Sequence, residues 1–256
     1  MIKAIFYDID GTLFSHQQNK IPDSAVRAVN EAHKKGIRTV IATGRPLPHL
    51  KMLDLSMIDV DEYMIMNGQL CLDRNYNTIL ENPIGARETE TIHRMFDAGD
   101  PAIMILEKNK VYVNKVDDNM MEALDSVHTP RPAIGEFSGD KIYQAIAYVG
   151  EERTEEIRQA VPGCKVIRWH EKALDMISRN GSKAAAIEKY LEHFGIAREE
   201  SMAFGDAGND LEMLQYVGIG VAMGNAVEAV KQGADYITDD IDEDGLARGL
   251  HHFGVL

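Results

Sequence analysis

The chain has 256 residues, enough for one large α/β domain or a domain with a substantial insertion, and its 45% hydrophobic content supports a packed core and excludes a disordered protein. A formal net charge of -14 argues against nucleic acid or an anionic membrane surface as partner, so an anionic substrate would need local positive charge from a metal or a few placed Lys and Arg residues. Cys71 and Cys164 lie far apart and read as reduced thiols, and no apolar stretch reaches the roughly 18 residues of a membrane span, so the expected setting is soluble and cytoplasmic.

The apolar run 2–7 predicts a buried first strand that ends in Asp8-Ile9-Asp10-Gly11-Thr12-Leu13. Strand side chains alternate, so Asp8 and Asp10 share a face at the carboxyl edge of the sheet, where open α/β folds bind ligands. Two acids so placed can divide one reaction, although Asp and Gly are also ordinary turn residues. A helix over 23–35, stopped by Gly36, leads to a strand over 37–42 and then Thr43-Gly44-Arg45. The Thr43 hydroxyl and the Gly44 N–H could donate to phosphate oxygens; the same pair also closes common turns, and Arg45 alone suits a surface. A third strand is predicted at 63–66.

The middle of the chain reads differently. A helix at 88–98, strands at 102–107 and 111–115 around Asn109, a helix at 119–126, a loop with Pro130 and Pro132, a strand at 141–148, a helix at 152–161 and a hairpin of 165–169 with 173–178 predict an antiparallel α+β module. Its borders fall near Asn82 and Asn180, leaving 1–82 and 180–256 as a core and 83–179 as an insertion. Trp169 and His170 at the hairpin tip, and His128 beside the proline loop, could contact a sugar or ring, and equally fit surface or packing positions.

The alternating rhythm then resumes. Ser182 is a candidate N-cap for a helix over 183–194, which places Lys183 either at an anion site or simply on an exposed helix face. A strand at 201–204 runs into Gly205-Asp206-Ala207-Gly208-Asn209-Asp210, followed by a helix at 210–216 and strands at 219–222 and 236–238. Asp206 suits a hard oxygen ligand, Asn209 a helix start, and Asp210 a partner for metal-bound water. The expected fold is α/β: a Rossmann-like doubly wound parallel-sheet core with an inserted α+β cap domain.

Taken in order, DIDGTL, ATGR, Lys183 and GDAGND resemble the four motifs of the haloacid dehalogenase superfamily of phosphatases over nearly the full chain. Met66-Asn67-Gly68 and an α/β insertion ahead of the lysine look like the Cof-type subfamily with a C2-type cap; Ala184, where relatives commonly have Gly, is a small departure. The resemblance implies that Asp8 attacks phosphorus, that Asp10 serves as acid and then base, and that Lys183 holds both Asp8 and the phosphate. It implies Mg²⁺ on Asp8, the Asp10 carbonyl and Asp206, with Asp210 behind them. Ile9 N–H, Thr43, Gly44, Arg45 and Asn209 would complete the phosphate and substrate cradle. The expected activity is Mg²⁺-dependent hydrolysis of a small phosphate ester, most plausibly a sugar phosphate, with no obligate protein partner evident. A phosphomutase of related fold and a non-catalytic regulator are the alternatives, and the presence of Asp8, Asp10 and Lys183 speaks against the second.

Overall fold

The structure is a computed structural model that describes residues 1–127 and 129–256; His128, one of the candidate ligand contacts, lies outside the described residues. The chain divides into two compact units, one of residues 1–45, 53–81 and 182–256 and the other of residues 46–52 and 82–181. In chain order the elements are β1 (Ala4–Tyr7), α1 (Asp23–Lys34), β2 (Arg38–Ala42), α2 (Leu47–Leu50), β3 (Glu62–Ile65), β4 (Leu70–Asp73) and β5 (Thr78–Glu81). Next come α3 (Ala86–Ala98), β6 (Ala102–Leu106), β7 (Val111–Val113), α4 (Asp118–Ser126), β8 (Ala133–Ile134), β9 (Gln144–Tyr148), α5 (Thr154–Ala160), β10 (Cys164–His170) and β11 (Ala173–Ser178). The last stretch holds α6 (Lys183–Phe194), β12 (Ser201–Gly205), α7 (Leu211–Tyr216), β13 (Ile219–Ala222), α8 (Glu228–Gly233), β14 (Tyr236–Ile237) and α9 (Gly245–His252).

The first unit is built on a sheet of order β14-β13-β12-β1-β2-β3-β4-β5. The pairs from β14 to β3 are parallel, and β4 and β5 add an antiparallel edge. That edge hairpin was not expected from the sequence; its short strands lack the clean alternation that marked the others. β1 is central and buried along its length, because Ala4 and Phe6 pack against Ala186, Ile187, Tyr190 and Leu191 of α6. On the other side of the chain's rhythm, α1 buries Ala25, Ala28, Val29 and Ala32, the stripe that its spacing predicted. The strand order reverses between β12 and β2 around β1, and such a switch point opens a crevice beyond the carboxyl ends of the strands.

A polar knot lies among the elements β2, β3 and α6. The Tyr190 hydroxyl donates to Glu62 Oε2 at 2.6 Å and accepts from Arg38 Nε at 2.7 Å, while Arg38 also pairs with Glu62 Oε1. The Arg38 guanidinium stacks 3.9 Å above the Phe194 ring. Glu62 is almost wholly buried, so its charge depends on these partners.

The second unit carries a sheet of order β10-β11-β9-β6-β7-β8, antiparallel except between β7 and β8. Ile92 and Phe96 of α3 and Ile157 of α5 pack on Ile103, Ile105, Ala145, Ala147, Leu174 and Met176 of one sheet face. β7 ends at Val113, two residues short of expectation, because the Asn114 side chain replaces the ladder: its carbonyl accepts from Ile103 N and Lys115 N, and its amide donates to Phe96 O and Pro101 O.

Tyr190→Phe tests the polar knot. It removes a hydroxyl that both donates and accepts, leaving Glu62 short of a donor, and should cost about 1–3 kcal/mol. Urea titration should show a lower midpoint with an unchanged slope.

Candidate active site

Asp8, Thr43, Lys183 and Asp206 stand at the ends or starts of β1, β2, α6 and β12, whereas Asn209 and Asp210 lie in a turn ahead of α7, which was expected to start at 210. β1 delivers Asp8, 5% exposed, whose N–H donates to Phe204 O at 3.1 Å. The chain then folds back on itself: Ile9 O accepts from the N–H groups of Thr12, Leu13 and Phe14. Ile9 turns its side chain into the core, as the alternation requires. Gly11 adopts φ 82°, and a Cβ there would fall 2.4 Å from Asp206 Oδ2. The turn therefore needs glycine twice, for its conformation and for the approach of the acid.

Lys183 is 1% exposed, which settles its position against an outward-facing helix lysine. Ser182 caps α6, its hydroxyl accepting from Ala185 N, and so fixes the first turn that carries the lysine. The ammonium donates to Asp8 Oδ1 at 2.5 Å and to Asp210 Oδ1 at 2.6 Å. Asp210 is itself fully buried, and its Oδ2 accepts from the N–H groups of Asp206 and Ala207, both at 3.0 Å. A tight turn over Gly208–Asp210, closed by Asp210 N donating to Ala207 O, brings that carboxylate back to the loop start. Asn209 is therefore not the cap of α7, which begins only at Leu211 with Asp210 at its N-cap position and no side-chain cap bond. Asn209 instead donates from Nδ2 to Asn67 Oδ1 at 3.0 Å.

Asn67 belongs to three consecutive left-handed residues, Met66, Asn67 and Gly68, with φ of 51°, 54° and 83°. Its N–H donates to Thr43 O at 3.0 Å, so the loops after β2 and β3 are joined. Gly44 leaves room for it, since a Cβ there would lie 3.2 Å from Asn67 Oδ1, and Gly68 lets the loop pass 2.6 Å, at its own missing Cβ, from Ser182 O. Thr43 is buried and its hydroxyl accepts from Arg45 N at 3.1 Å.

Arg45 is not a free surface group. It grips Asp10 with two bonds, Nε to Oδ2 at 2.7 Å and Nη2 to Oδ1 at 2.6 Å, a fork that fits a carboxylate. His16 Nε2 lies 3.0 Å from Asp10 Oδ1. Two contacts had no signal in the sequence beyond the motif itself: the Thr12 hydroxyl donates to Asp206 Oδ1 at 2.9 Å, and Asn225 Nδ2 donates to Gly11 O at 2.8 Å.

The electrostatics are lopsided. Carboxylate oxygens of Asp8, Asp206 and Asp210 lie within 4.8 Å of one another, with Lys183 as the cation among them. Burial, then the charges of Asp210 and Asp206, push the Asp8 carboxyl well above its usual range against the pull of Lys183. Burial also pushes Asp206 up to about 7, opposed by the Thr12 hydrogen bond and reinforced by Asp210 and Asp10. Lys183 moves the other way: burial alone would lower it, but Asp210 and Asp8 hold it above the ordinary lysine range. An all-oxygen donor set with surplus negative charge fits a hard divalent cation. Both cysteines are free, with thiols that burial pushes up to about 12, and so are inert toward metals here.

These features recur in known proteins. Residues 5–250 match the haloacid dehalogenase-like hydrolase family, and the chain belongs to that family. Within the family it is a phosphatase. It is 34% identical over 257 residues to YkrA of Bacillus subtilis strain 168, provisionally named a phosphatase, covering 99% of this chain and 98% of that one. The 5-amino-6-(5-phospho-D-ribitylamino)uracil phosphatase YcsE of the same organism is 30% identical over 253 residues, covering 98% and 96%. Among solved structures, the phosphatase BT1666 from Bacteroides thetaiotaomicron superposes with TM-score 0.90 at 32% identity, covering 100% of this chain and 96% of that one. The subclass IIB sugar phosphatase BT4131 gives TM-score 0.82 at 34% identity, covering 99% and 100%. Among the described residues no helix is long and apolar enough to cross a membrane.

Relief of the crowded charge is measurable. Near pH 8, above the value of about 7 at Asp206, the metal-free protein holds an ionised Asp206 at a cost. Asp206→Asn keeps an acceptor for Thr12 and removes that charge, so in the presence of chelator its melting temperature should exceed wild type by about 2–5 °C. Added divalent cation should then raise the wild-type value and leave the variant nearly unmoved.

Proposed function

We propose that the chain hydrolyses a small phosphorylated polyol, most simply a sugar phosphate, through a phosphoryl group carried on Asp8. The observation that carries this reading is the buried ammonium of Lys183, held 2.5 Å from Asp8 on the same turn that presents Asp10. The named activities of two similar proteins, BT4131 on sugar phosphates and YcsE on a phosphoribityl compound, support the substrate class.

In the first step an Asp8 oxygen forms a bond to phosphorus as the bond to the leaving oxygen breaks, and Asp10 gives that oxygen its proton. In the second, Asp10 as a carboxylate takes a proton from the water that attacks phosphorus, releasing phosphate and restoring Asp8. Lys183 offsets charge on the nucleophile and on the transferring oxygens. Thr43, Gly44, Asn209 and the Ile9 N–H are assigned to the phosphate cradle. Asp210 acts behind them by pinning Lys183 and the 206–207 backbone. Arg45, the remaining candidate for the substrate, reaches it only by leaving Asp10, so its first duty is to hold the acid in place. Asp8, the Asp10 carbonyl and Asp206 are the residues that would hold Mg²⁺, which when bound supplies positive charge against that of the phosphoryl oxygens. We assign leaving-group recognition to residues 83–179, and the two free thiols suit a reducing cytoplasm.

A free-phosphate assay with Mg²⁺ across sugar phosphates, nucleotides, pyridoxal phosphate and flavin mononucleotide tests the class; isomerised product without phosphate would show a mutase instead. Asp8→Asn should lower kcat at least about a hundredfold, roughly 2.7 kcal/mol, with an unchanged circular dichroism spectrum. Ca²⁺ should bind yet support little turnover, since its larger coordination sphere draws both Asp8 oxygens to the ion.

Arg45→Ala separates acid positioning from phosphate binding. An activated ester such as p-nitrophenyl phosphate needs little protonation of its leaving group. If Arg45 serves Asp10, kcat should fall at least about tenfold more for a sugar phosphate than for the activated ester. Equal losses on both would assign Arg45 to the phosphate.

A further inference from the structure

The turn after β3 is tied to the turn after β2 at two points that bracket Gly44. Met66 N–H donates to Arg45 O at 3.1 Å and Asn67 N–H donates to Thr43 O at 3.0 Å, so two left-handed residues flank the glycine assigned to the phosphate cradle. A further bond holds Asn67: Gln69, fully buried, donates from Nε2 to Asn67 O at 3.1 Å. The backbone of Asn67 is thus fixed at both its donor and its acceptor. Its carboxamide lies against Gly44, where a Cβ would fall 3.2 Å from Oδ1 and 3.5 Å from Nδ2.

Asn209 stands in the opposite condition. It is exposed in the turn Gly208–Asp210, and the bond from its Nδ2 to Asn67 Oδ1 at 3.0 Å is the one side-chain hydrogen bond it makes among the described residues. A carboxamide has two ends of nearly equal shape and opposite chemistry, so a half-turn about its last side-chain bond exchanges two N–H donors for a carbonyl oxygen. Toward a phosphate, the first end binds and the second repels.

We infer that Asn67 is a positioning residue for phosphate binding and that it acts through Asn209. Its Oδ1 accepts one N–H of the Asn209 carboxamide, which keeps the nitrogen end beside Asn67 and leaves the second N–H for a phosphate oxygen. An exposed side chain that must be ordered on binding weakens the complex, and one already held does not. The left-handed backbone lets a single residue meet Thr43 with its N–H and Asn209 with its side chain. The assignment rests on the cradle proposed above, in which Asn209 meets the phosphate.

The test is a mutant cycle read by calorimetry on the full chain, with inorganic phosphate as titrant and Mg²⁺ present, so that no turnover is needed. Asn67→Gly removes the carboxamide, adopts φ near 54° freely and keeps the backbone bonds to Thr43 and Gln69. Asn67→Asp keeps the acceptor and tolerates the same conformation. Asn209→Ala is then introduced into the wild type and into each variant, with folding checked by circular dichroism. It should weaken phosphate binding at least about tenfold in the wild type and in Asn67→Asp, but less than about threefold in Asn67→Gly, which alone already binds about tenfold more weakly. The charge of Asn67→Asp lowers affinity in both members of its pair and leaves their ratio standing.

The assignment is overturned by an equal loss on Asn209→Ala in the wild type and in Asn67→Gly, or by a loss in Asn67→Asp as small as that in Asn67→Gly. Phosphate affinity of Asn67→Gly within twofold of wild type, or no phosphate binding by the wild type, overturns it as well. A wild type that shows the expected pattern yet releases phosphate from no ester overturns the phosphatase reading alone.

Discussion

A buried ammonium between two carboxylates organises this molecule. An unpaired lysine charge at that depth would be expelled or neutralised, and removing one partner of such a pair costs about 3–5 kcal/mol. Lys183 therefore constrains three stretches of chain: β1 must present Asp8, α6 must begin at Lys183 behind its Ser182 cap, and the chain after β12 must curl until Asp210 arrives. The curl itself is stabilised by the two N–H groups that Asp210 collects. The fold and the site share one set of bonds, and what remains after Lys183 is matched is an excess of negative charge around Asp8 and Asp206, the property that suits a cation.

Two acids one residue apart end in unlike surroundings. Asp8 is buried on an ammonium, whereas Asp10 keeps a side-chain exposure of 36% and is clasped by Arg45 with His16 alongside. Pairs of carboxyl groups set in different environments are how one site divides a reaction into two roles. The environments follow from sequence in a simple way. Alternation puts both acids on one face, and Gly11 turns the chain between the crowded crevice and the more open rim.

The core sheet was legible because parallel, doubly covered strands read as continuous apolar runs, and β1, β2, β12 and β13 do so plainly. The hairpin of β4 and β5 was not, nor were α8, only six residues long, and α9, whose two glycines weaken a helical reading despite its buried stripe. Within the site, residue type located Asp8, Asp206 and Lys183, but not what they touch. Asn209 looked like a helix cap since Asn often is one; the extra turn over Gly208–Asp210 moves the start of α7 to Leu211 and turns the Asp210 carboxylate back onto the Asp206 N–H instead. Arg45 looked like a surface or substrate residue, because no local pattern says that a side chain will meet an acid 35 positions earlier. Thr12 and Asn225 were silent for the same reason: their partners are far away in sequence.

The loop 66–68 shows how much the structure concedes to bring those distant partners together. Left-handed backbone costs an ordinary residue about 1–2 kcal/mol, and here Met66 and Asn67 both adopt it ahead of Gly68. The strain is held because each neighbour leaves a gap or supplies a bond. Met66 is fully buried, Asn67 ties Thr43 to Asn209, and Gly68 admits the backbone of Ser182. Relaxing the loop would lose all three at once. A side chain at Gly68 would push against the residue that caps α6, and through that cap against Lys183. The strained loop is therefore a brace between the turns after β2 and β12 and the lysine that pairs with Asp8, and strain is tolerated where it fixes the positions of charged groups.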